Sequence, residues 1–389
     1  MKTVGIIAEY NPFHSGHRYH MEEAVKKSGA DAVVVIMSGD FVQRGEPAVL
    51  DKYQRAEAAL SAGADLVLEL PPSKATGGAE LFARGAVQMA AACGCVDTLC
   101  FGAEEADLSR LQEAAGLWQR EDFEDALQAA LRQGLAFPAA VAEAAARVCP
   151  AAAAVLDRPN NILAVEYLKA IRKQGSTVQP LVIPRIASDY RSDELPQEGF
   201  ASAGALRKAL RAGRLKEAAS FLPEPLPEDA AFVWPDDLSA ALSTRLLELA
   251  ARGPEALRAF ADVSEELAAR IAAQAPFALS FEELAGKVQT RAYSLARVRR
   301  ALLHILLGLT EDDMQRPVQA LKILGIRRTS PLPGLLKKTA ALPLVAKTAD
   351  APEALVKEYA AARALYVQTA FFACGTRLKD EYRRSPVIF

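Results

Sequence analysis

Cysteine is scarce in this sequence: five residues, an odd number, are scattered through 389. That excludes a disulfide-stapled secreted scaffold and makes the reducing cytoplasm the expected compartment. Cys93 and Cys95 form a C-x-C without a second ligand pair, so no protein-bound metal site is expected. Long apolar runs are absent as well. No stretch approaches the roughly 18 uncharged residues that span a bilayer. The opening apolar segment stops at Glu9, short of a signal-peptide core. No membrane partner is expected. The sequence has no G-x-x-x-x-G-K-[ST], and no G-x-G-x-x-G follows the first apolar run. The P-loop and the dinucleotide fingerprint are therefore both missing. There is no internal repeat and no long low-complexity tract.

What is present describes a globular chain. It is 51% hydrophobic and 24% charged, with 46 bases against 48 acids. At about 150 residues per domain, this length suggests two or three domains. The near-zero net charge hides an asymmetry. Lys287 to Lys347 holds twelve Lys or Arg and only three acids, Glu311, Asp312 and Asp313, so it carries +9 and the remainder −11. Lys287, Arg291, Arg297, Arg299 and Arg300 form a first acid-free cluster that includes Tyr293. A basic surface of this kind is the footprint of a polyanionic partner.

The first hundred residues alternate between two periods. Thr3–Ala8, Ala32–Met37, Leu66–Leu70 and Thr98–Phe101 read as buried strands, and Gly16–Lys27, Asp51–Ala62 and Gly78–Ala92 as helices. Fully apolar strands separated by helices predict a doubly wound parallel sheet covered on both faces. An Ala-rich helical insert is expected at about 106–157, followed by a helix over Asn160–Lys173 and a late strand over Val178–Ile183. Pro223 to Pro235, with four prolines, is the expected linker. The expected organisation is thus an α/β nucleotide-binding domain over 1–222 and a mostly helical, basic domain over 236–389.

The first strand runs into Glu9-Tyr10-Asn11-Pro12-Phe13-His14-Ser15-Gly16-His17, and His14-x-Gly16-His17 falls at a strand-to-helix junction. A helix N-terminus offers free N–H groups and the positive end of a dipole, both suited to phosphate. Gly16 leaves room for close approach of a nucleotide. His14 and His17 can each donate to phosphoryl oxygens as charge builds during substitution at an α-phosphate. Three of the four histidines, His14, His17 and His20, lie in this turn and the helix after it.

This H-x-G-H turn resembles the nucleotidyltransferase superfamily of the cytidylyltransferase and pantetheine-phosphate adenylyltransferase type. Longer strings are more specific. Glu9 to His20, Ser38-Gly39-Asp40-Phe41-Val42-Gln43-Arg44-Gly45-Glu46-Pro47-Ala48, Gly63 to Pro71, Phe101-Gly102 and Pro159-Asn160-Asn161-Ile162-Leu163 resemble the bacterial tRNA(Met) cytidine acetate ligase family. Gln289-Thr290-Arg291-Ala292-Tyr293-Ser294, with Arg297 to Arg300 after it, resembles that family's basic motif. The resemblance runs along the whole chain and is weakest in the Ala-rich insert and in Asp236 to Ala275.

The resemblance implies an ATP-dependent, acyl-adenylate-forming ligase. Acetate and ATP would give acetyladenylate and pyrophosphate. The acetyl group would then pass to N4 of the wobble cytidine of elongator tRNA(Met), giving N4-acetylcytidine. Carried over by motif, the ATP site comprises Ile7, Ala8, Glu9, Tyr10, Asn11, Pro12, Phe13, His14, Ser15, Gly16, His17, Arg18, Tyr19 and His20, with Gly102, the Asn160-Asn161 pair and Arg185. Magnesium is expected to accompany the nucleotide. Ser202 and Arg207, in Phe200 to Arg207, resemble the superfamily's second phosphate motif: Ser202 would cap a helix and Arg207 would clamp the β- and γ-phosphates. Asp40 and Arg44 read either as a loop salt bridge or as a pocket wall for acetate or cytidine. The five bases from Lys287 to Arg300 would hold tRNA.

The chemistry suits these residues. Acetate is already ionised at neutral pH and needs no general base to attack phosphorus. The transfer to cytidine depends on proximity, with the wobble base drawn out of its stack. The alternatives are an adenylyltransferase moving AMP onto a phosphate-bearing cofactor precursor, a pantothenate-synthetase-like ligase, and an RNA-binding protein with a relic nucleotide fold.

Overall fold

The structure, a computed structural model, describes residues 1–185, 194–226 and 230–389. Ile186 of the late-strand motif and residues 227–229 of the expected linker lie outside the described residues.

The strands are β1 (Thr3–Ala8), β2 (Ala32–Ser38), β3 (Phe41–Val42), β4 (Glu46–Pro47), β5 (Leu66–Leu70), β6 (Thr98–Ala103), β7 (Gln179–Pro184), β8 (Leu321–Ile326), β9 (Leu344–Val345) and β10 (Val387–Ile388). The main sheet runs β10-β8-β5-β2-β1-β6-β7, with β9 beside β8. From β5 to β7 every pairing is parallel. The chain builds outward from β1 to β2 and β5, then returns to the other side of β1 with β6 and β7. The order reverses between β1 and β6, and open α/β sheets bind ligands beyond the strand ends at such a point.

Strand β2 shows why its sequence is apolar throughout. Val34 and Ile36 join one core, with Phe82, Ala86 and Met89 of the helix Ala79–Ala92. Val33, Val35 and Met37 face the other side, with Met21 of the helix Ser15–Ser28 and with Tyr53 and Ala56 of the helix Lys52–Ser61. Alternate residues point to opposite faces, and both faces are covered. The insert folds as the helices Leu108–Gly116, Glu121–Arg132, Phe137–Val148 and Pro150–Leu156, packed on the first of these cores.

The second half has its own helical core, centred on Leu242, Phe281, Val298, Leu302 and Tyr366. It is not purely helical. Strand β8 adds antiparallel to β5 and is followed outward by β10, so the sheet draws strands from both halves of the chain. A buried ion network fastens this join. Lys52 lies 2.8 Å from both Glu69 of β5 and Glu381, while Lys322 of β8 pairs with Glu69 at 2.7 Å and also with Glu381. Among the described residues no helix is long and apolar enough to cross a membrane.

Candidate active site

The helix Ser15–Ser28 starts directly beyond the carboxyl end of β1, at the switch point. Its first turn is closed by imidazoles. His14 Nδ1 accepts from the Gly16 N–H at 3.1 Å, and His17 Nδ1 accepts from the His14 N–H at 3.3 Å. An Nδ1 that accepts carries no proton, so each ring bears its proton on Nε2. The capping box thereby fixes both tautomers, leaving two Nε2–H donors for an incoming anion. The rings are stacked with a 30° tilt, centroids 3.7 Å apart. A Cβ at Gly16 would sit 3.1 Å from His14 Nδ1, so glycine preserves this cap.

Burial keeps the three histidines neutral. Desolvation, reinforced by the positive charge of Arg185, lowers His14 to about 3 and His20 to about 4. His17 falls well below its ordinary value, chiefly through desolvation, with His14 and Arg185 adding to it. A neutral imidazole with Nδ1 accepting still donates through Nε2–H. Desolvation also raises Glu9 above the usual carboxylate range, against the Gln43 N–H bond (2.8 Å) and the attraction of Arg44.

The neighbouring walls come from distant segments. Gly102, at the end of β6, leaves its Cα facing Arg185 and His20, whose nearest atoms would lie 3.4 and 3.6 Å from a Cβ there. Asn160 approaches the Arg185 guanidinium at 3.5 Å and donates to Glu104 at 2.6 Å. Asn161 is engaged within the fold: its oxygen accepts from Glu105 N–H at 2.8 Å and its amide donates to the Val155 carbonyl at 3.0 Å. Ser202 caps the helix Ala203–Arg211 by accepting from the Ala205 N–H at 3.0 Å. That helix presents Arg207, which donates to the Asn11 carbonyl at 2.8 Å, at the base of the histidine loop.

The remaining loop residues make contacts that hold the turn in place. Tyr10 is buried with left-handed backbone (φ 51) and packs edge-on against Phe13. Asn11 accepts from the Val49 N–H at 2.8 Å, which ties the loop to the segment after β4. Ser15 donates to the Phe221 carbonyl, Tyr19 stacks near Phe200, and Arg18 turns outward to Glu22. Ile7 and Ala8 end β1, with Pro12 buried behind the turn.

Asp40 and Arg44 are not a pair. Asp40 is 2% exposed and lies 3.1 Å from Arg363 and 3.6 Å from Lys52, inside the ion network. Arg44 instead acts on Glu9. The basic cluster also diverges. Val298, Ala301, Leu302 and Ile305 are buried along the helix Leu295–Leu307, as their spacing predicts. Arg299 turns to Glu282, Arg300 to Asp262 at 3.2 Å, and Lys287 to Glu283 at 2.6 Å. Arg291 is exposed, and Arg297 lies over the Tyr293 ring at 5.0 Å. The acids that meet these bases lie outside the cluster, so its acid-free sequence overstated its free charge.

Two supporting residues escaped the sequence reading. Arg55, 1% exposed, donates to the Glu9, Ser38 and Leu50 carbonyls and sets the loops after β1 and β2. On a helix it looks like any surface arginine. Glu104 holds Asn160 and the Asn161 N–H, and its place just beyond Gly102 was its one signal.

A sheet reversing at β1, with two imidazoles whose Nε2–H groups are left as donors at the first helix start, defines a nucleotidyltransferase of the H-x-G-H class. The family model described as HIGH Nucleotidyl Transferase matches residues 1–380. The tRNA(Met) cytidine acetate ligase of Acetivibrio thermocellus is 39% identical over 371 residues, covering 90% of this chain and 89% of that one. The same-named protein of a Geobacillus species is 34% identical with 100% of both chains covered. The crystal structure of Thermotoga maritima TmcAL bound with alpha-thio ATP superposes with a TM-score of 0.90 at 29% identity, covering 100% of both chains. The chain belongs to the tRNA(Met) cytidine acetate ligase family.

Proposed function

We propose that this chain condenses acetate with ATP and delivers the acetyl group to N4 of the wobble cytidine of elongator tRNA(Met). The observation that carries the reading is the pair of Nε2–H donors fixed by the capping box at the switch point. Acetate oxygen attacks the α-phosphorus, and the bond to pyrophosphate breaks. His14 and His17 donate to the phosphoryl oxygens whose charge grows in that step. Arg207, held beside the histidine loop by the Asn11 carbonyl, and the helix start at Ser202 would receive the β- and γ-phosphates. Gly102 and Arg185 would contact the nucleoside, and of the two asparagines Asn160, which approaches Arg185, would join them. Magnesium would travel with the triphosphate oxygens. Among the described residues no group of three or more His, Cys, Asp or Glu is placed to hold a metal ion. In the second step N4 attacks the acetyl carbon, the bond to AMP breaks, and one N4 proton is lost. The exposed Arg291 and the stacked Arg297 are proposed to hold the RNA backbone.

Pyrophosphate–ATP exchange, with and without acetate, tests the reading. Exchange that requires acetate and not tRNA is the expected result. Exchange that ignores acetate but responds to a phosphorylated cofactor precursor would favour the adenylyltransferase alternative.

A further inference from the structure

A cavity of about 430 Å³ lies between the hairpin β3–β4, the helix Ala203–Arg211 and the helix Leu295–Leu307. Its wall includes Glu46, Arg207, Arg211, Trp234, Glu282 and Arg299. It adjoins the histidine loop, because the Arg207 that lines it also donates to the Asn11 carbonyl. The arrangement is rigidly set. Gly45, at the hairpin turn with φ 75, is pressed against the Arg299–Arg300 backbone, where any side chain would collide.

Two features give the cavity a chemical preference. The first is a pair of unused acceptors. Glu46 is 9% exposed, and among the described residues its Oε1 has no hydrogen-bond donor; the nearest cation, Arg207, stands 3.7 Å away. Glu282 uses Oε2 for Arg299, and its buried Oε1 likewise has no donor among the described residues. Buried acceptors normally have partners, so two unpartnered carboxylate oxygens in one cavity suit a ligand rich in N–H groups. The second feature is Trp234, an aromatic surface with the Arg211 guanidinium 5.9 Å from its ring centre. A planar, stackable ring carrying an exocyclic amine answers both.

We propose that this cavity receives the acceptor base of the RNA, an aminopyrimidine stacked on Trp234, and that Glu46 is the residue that selects it by accepting an amine N–H. Glu46 is then a specificity-determining residue. A carboxylate accepts from the cytosine amine, whereas uracil presents an oxygen there and is repelled. The inference rests on the tRNA-acetylating function proposed above.

The test compares anticodon stem-loops that differ only in cytidine or uridine at the wobble position. Binding to the full chain is read by anisotropy, with acetylation assayed in parallel. Wild type should prefer cytidine by about tenfold to a hundredfold, the range of one good base-edge contact. Glu46→Gln, whose amide both donates and accepts, should lose most of that preference while still binding RNA. A second readout uses unaltered protein. Of the two tryptophans, Trp118 and Trp234, only Trp234 should be quenched by the cytidine stem-loop, and the quench should vanish in Trp234→Phe. An undiminished cytidine preference in Glu46→Gln, or no quench, overturns the pocket assignment. If wild type instead fails to acetylate tRNA with acetate and ATP, the underlying function falls, a result distinct from the other two.

Discussion

Replacing His14 by Asn separates two tasks that one imidazole performs. His14 caps the helix Ser15–Ser28 through Nδ1 and presents Nε2–H to the proposed phosphate site. Asn is among the best N-capping residues, so the helix start should keep its stability, whereas His14→Ala should lose about 0.5–2 kcal/mol. The short amide cannot extend to where Nε2 stood. Loss of one donor to a developing phosphoryl charge typically slows a reaction by about 10²–10³. Acetate-dependent pyrophosphate–ATP exchange should therefore fall by that factor in both variants, with only the Ala variant melting early. The pH dependence has a defined sign. In the folded state His14 titrates at about 3, against about 6.5 when unfolded. Between those values the unfolded chain binds the extra proton, so His14 makes stability decline as pH falls from about 6.5, by up to about 1.4 kcal/mol per pH unit. The Asn variant should lack that contribution. Exchange in the Asn variant within about a factor of three of wild type would refute the donor role.

The basic segment and the ion network make separate predictions. Replacing Arg291 and Arg297 by Gln should leave exchange intact while weakening tRNA binding and reducing its log–log salt slope by about 0.7–0.9 per lost phosphate contact. Filter binding across a salt series measures this, and an unchanged slope would remove both residues from the RNA surface. Lys52→Met removes one of the two lysines that bridge Glu69 and Glu381, leaves Lys322 alone against both carboxylates, and should destabilise the fold by about 3–5 kcal/mol in urea denaturation. A loss below about 1 kcal/mol would mean that the network is relaxed by water or proton uptake.

Much of the parallel sheet was legible because burial on two faces writes itself into uninterrupted apolar strands. Ala32–Met37 became β2 with one residue added, and Leu66–Leu70 matched β5 at both ends. The histidine turn was legible for a different reason: three histidines at one strand–helix junction combine a rare residue with a special position. Strand β8 was not. Leu321-Lys322-Ile323 carries a lysine that looks solvent-exposed, and only the distant Glu69 and Glu381 explain its burial. Asp40 failed in the same way. Its partner Arg363 is 323 residues along the chain, out of reach of any local pattern. Charge counting misled at Arg299 and Arg300, because neutralising acids arrive from the turn and helix before them. Periodicity and turn chemistry are local, while ion pairing is set by the fold.

Adenylation of acetate and transfer of the acetyl group to a tRNA cytidine are proposed to share one site. The most direct measurement incubates the chain with tRNA(Met) and either labelled acetate plus ATP or labelled acetyl-coenzyme A without ATP, then digests the RNA to nucleosides. Labelled N4-acetylcytidine from the wobble position is expected with acetate and ATP alone. Label arriving from acetyl-coenzyme A at a comparable rate, or no acetylcytidine with acetate and ATP, would contradict it.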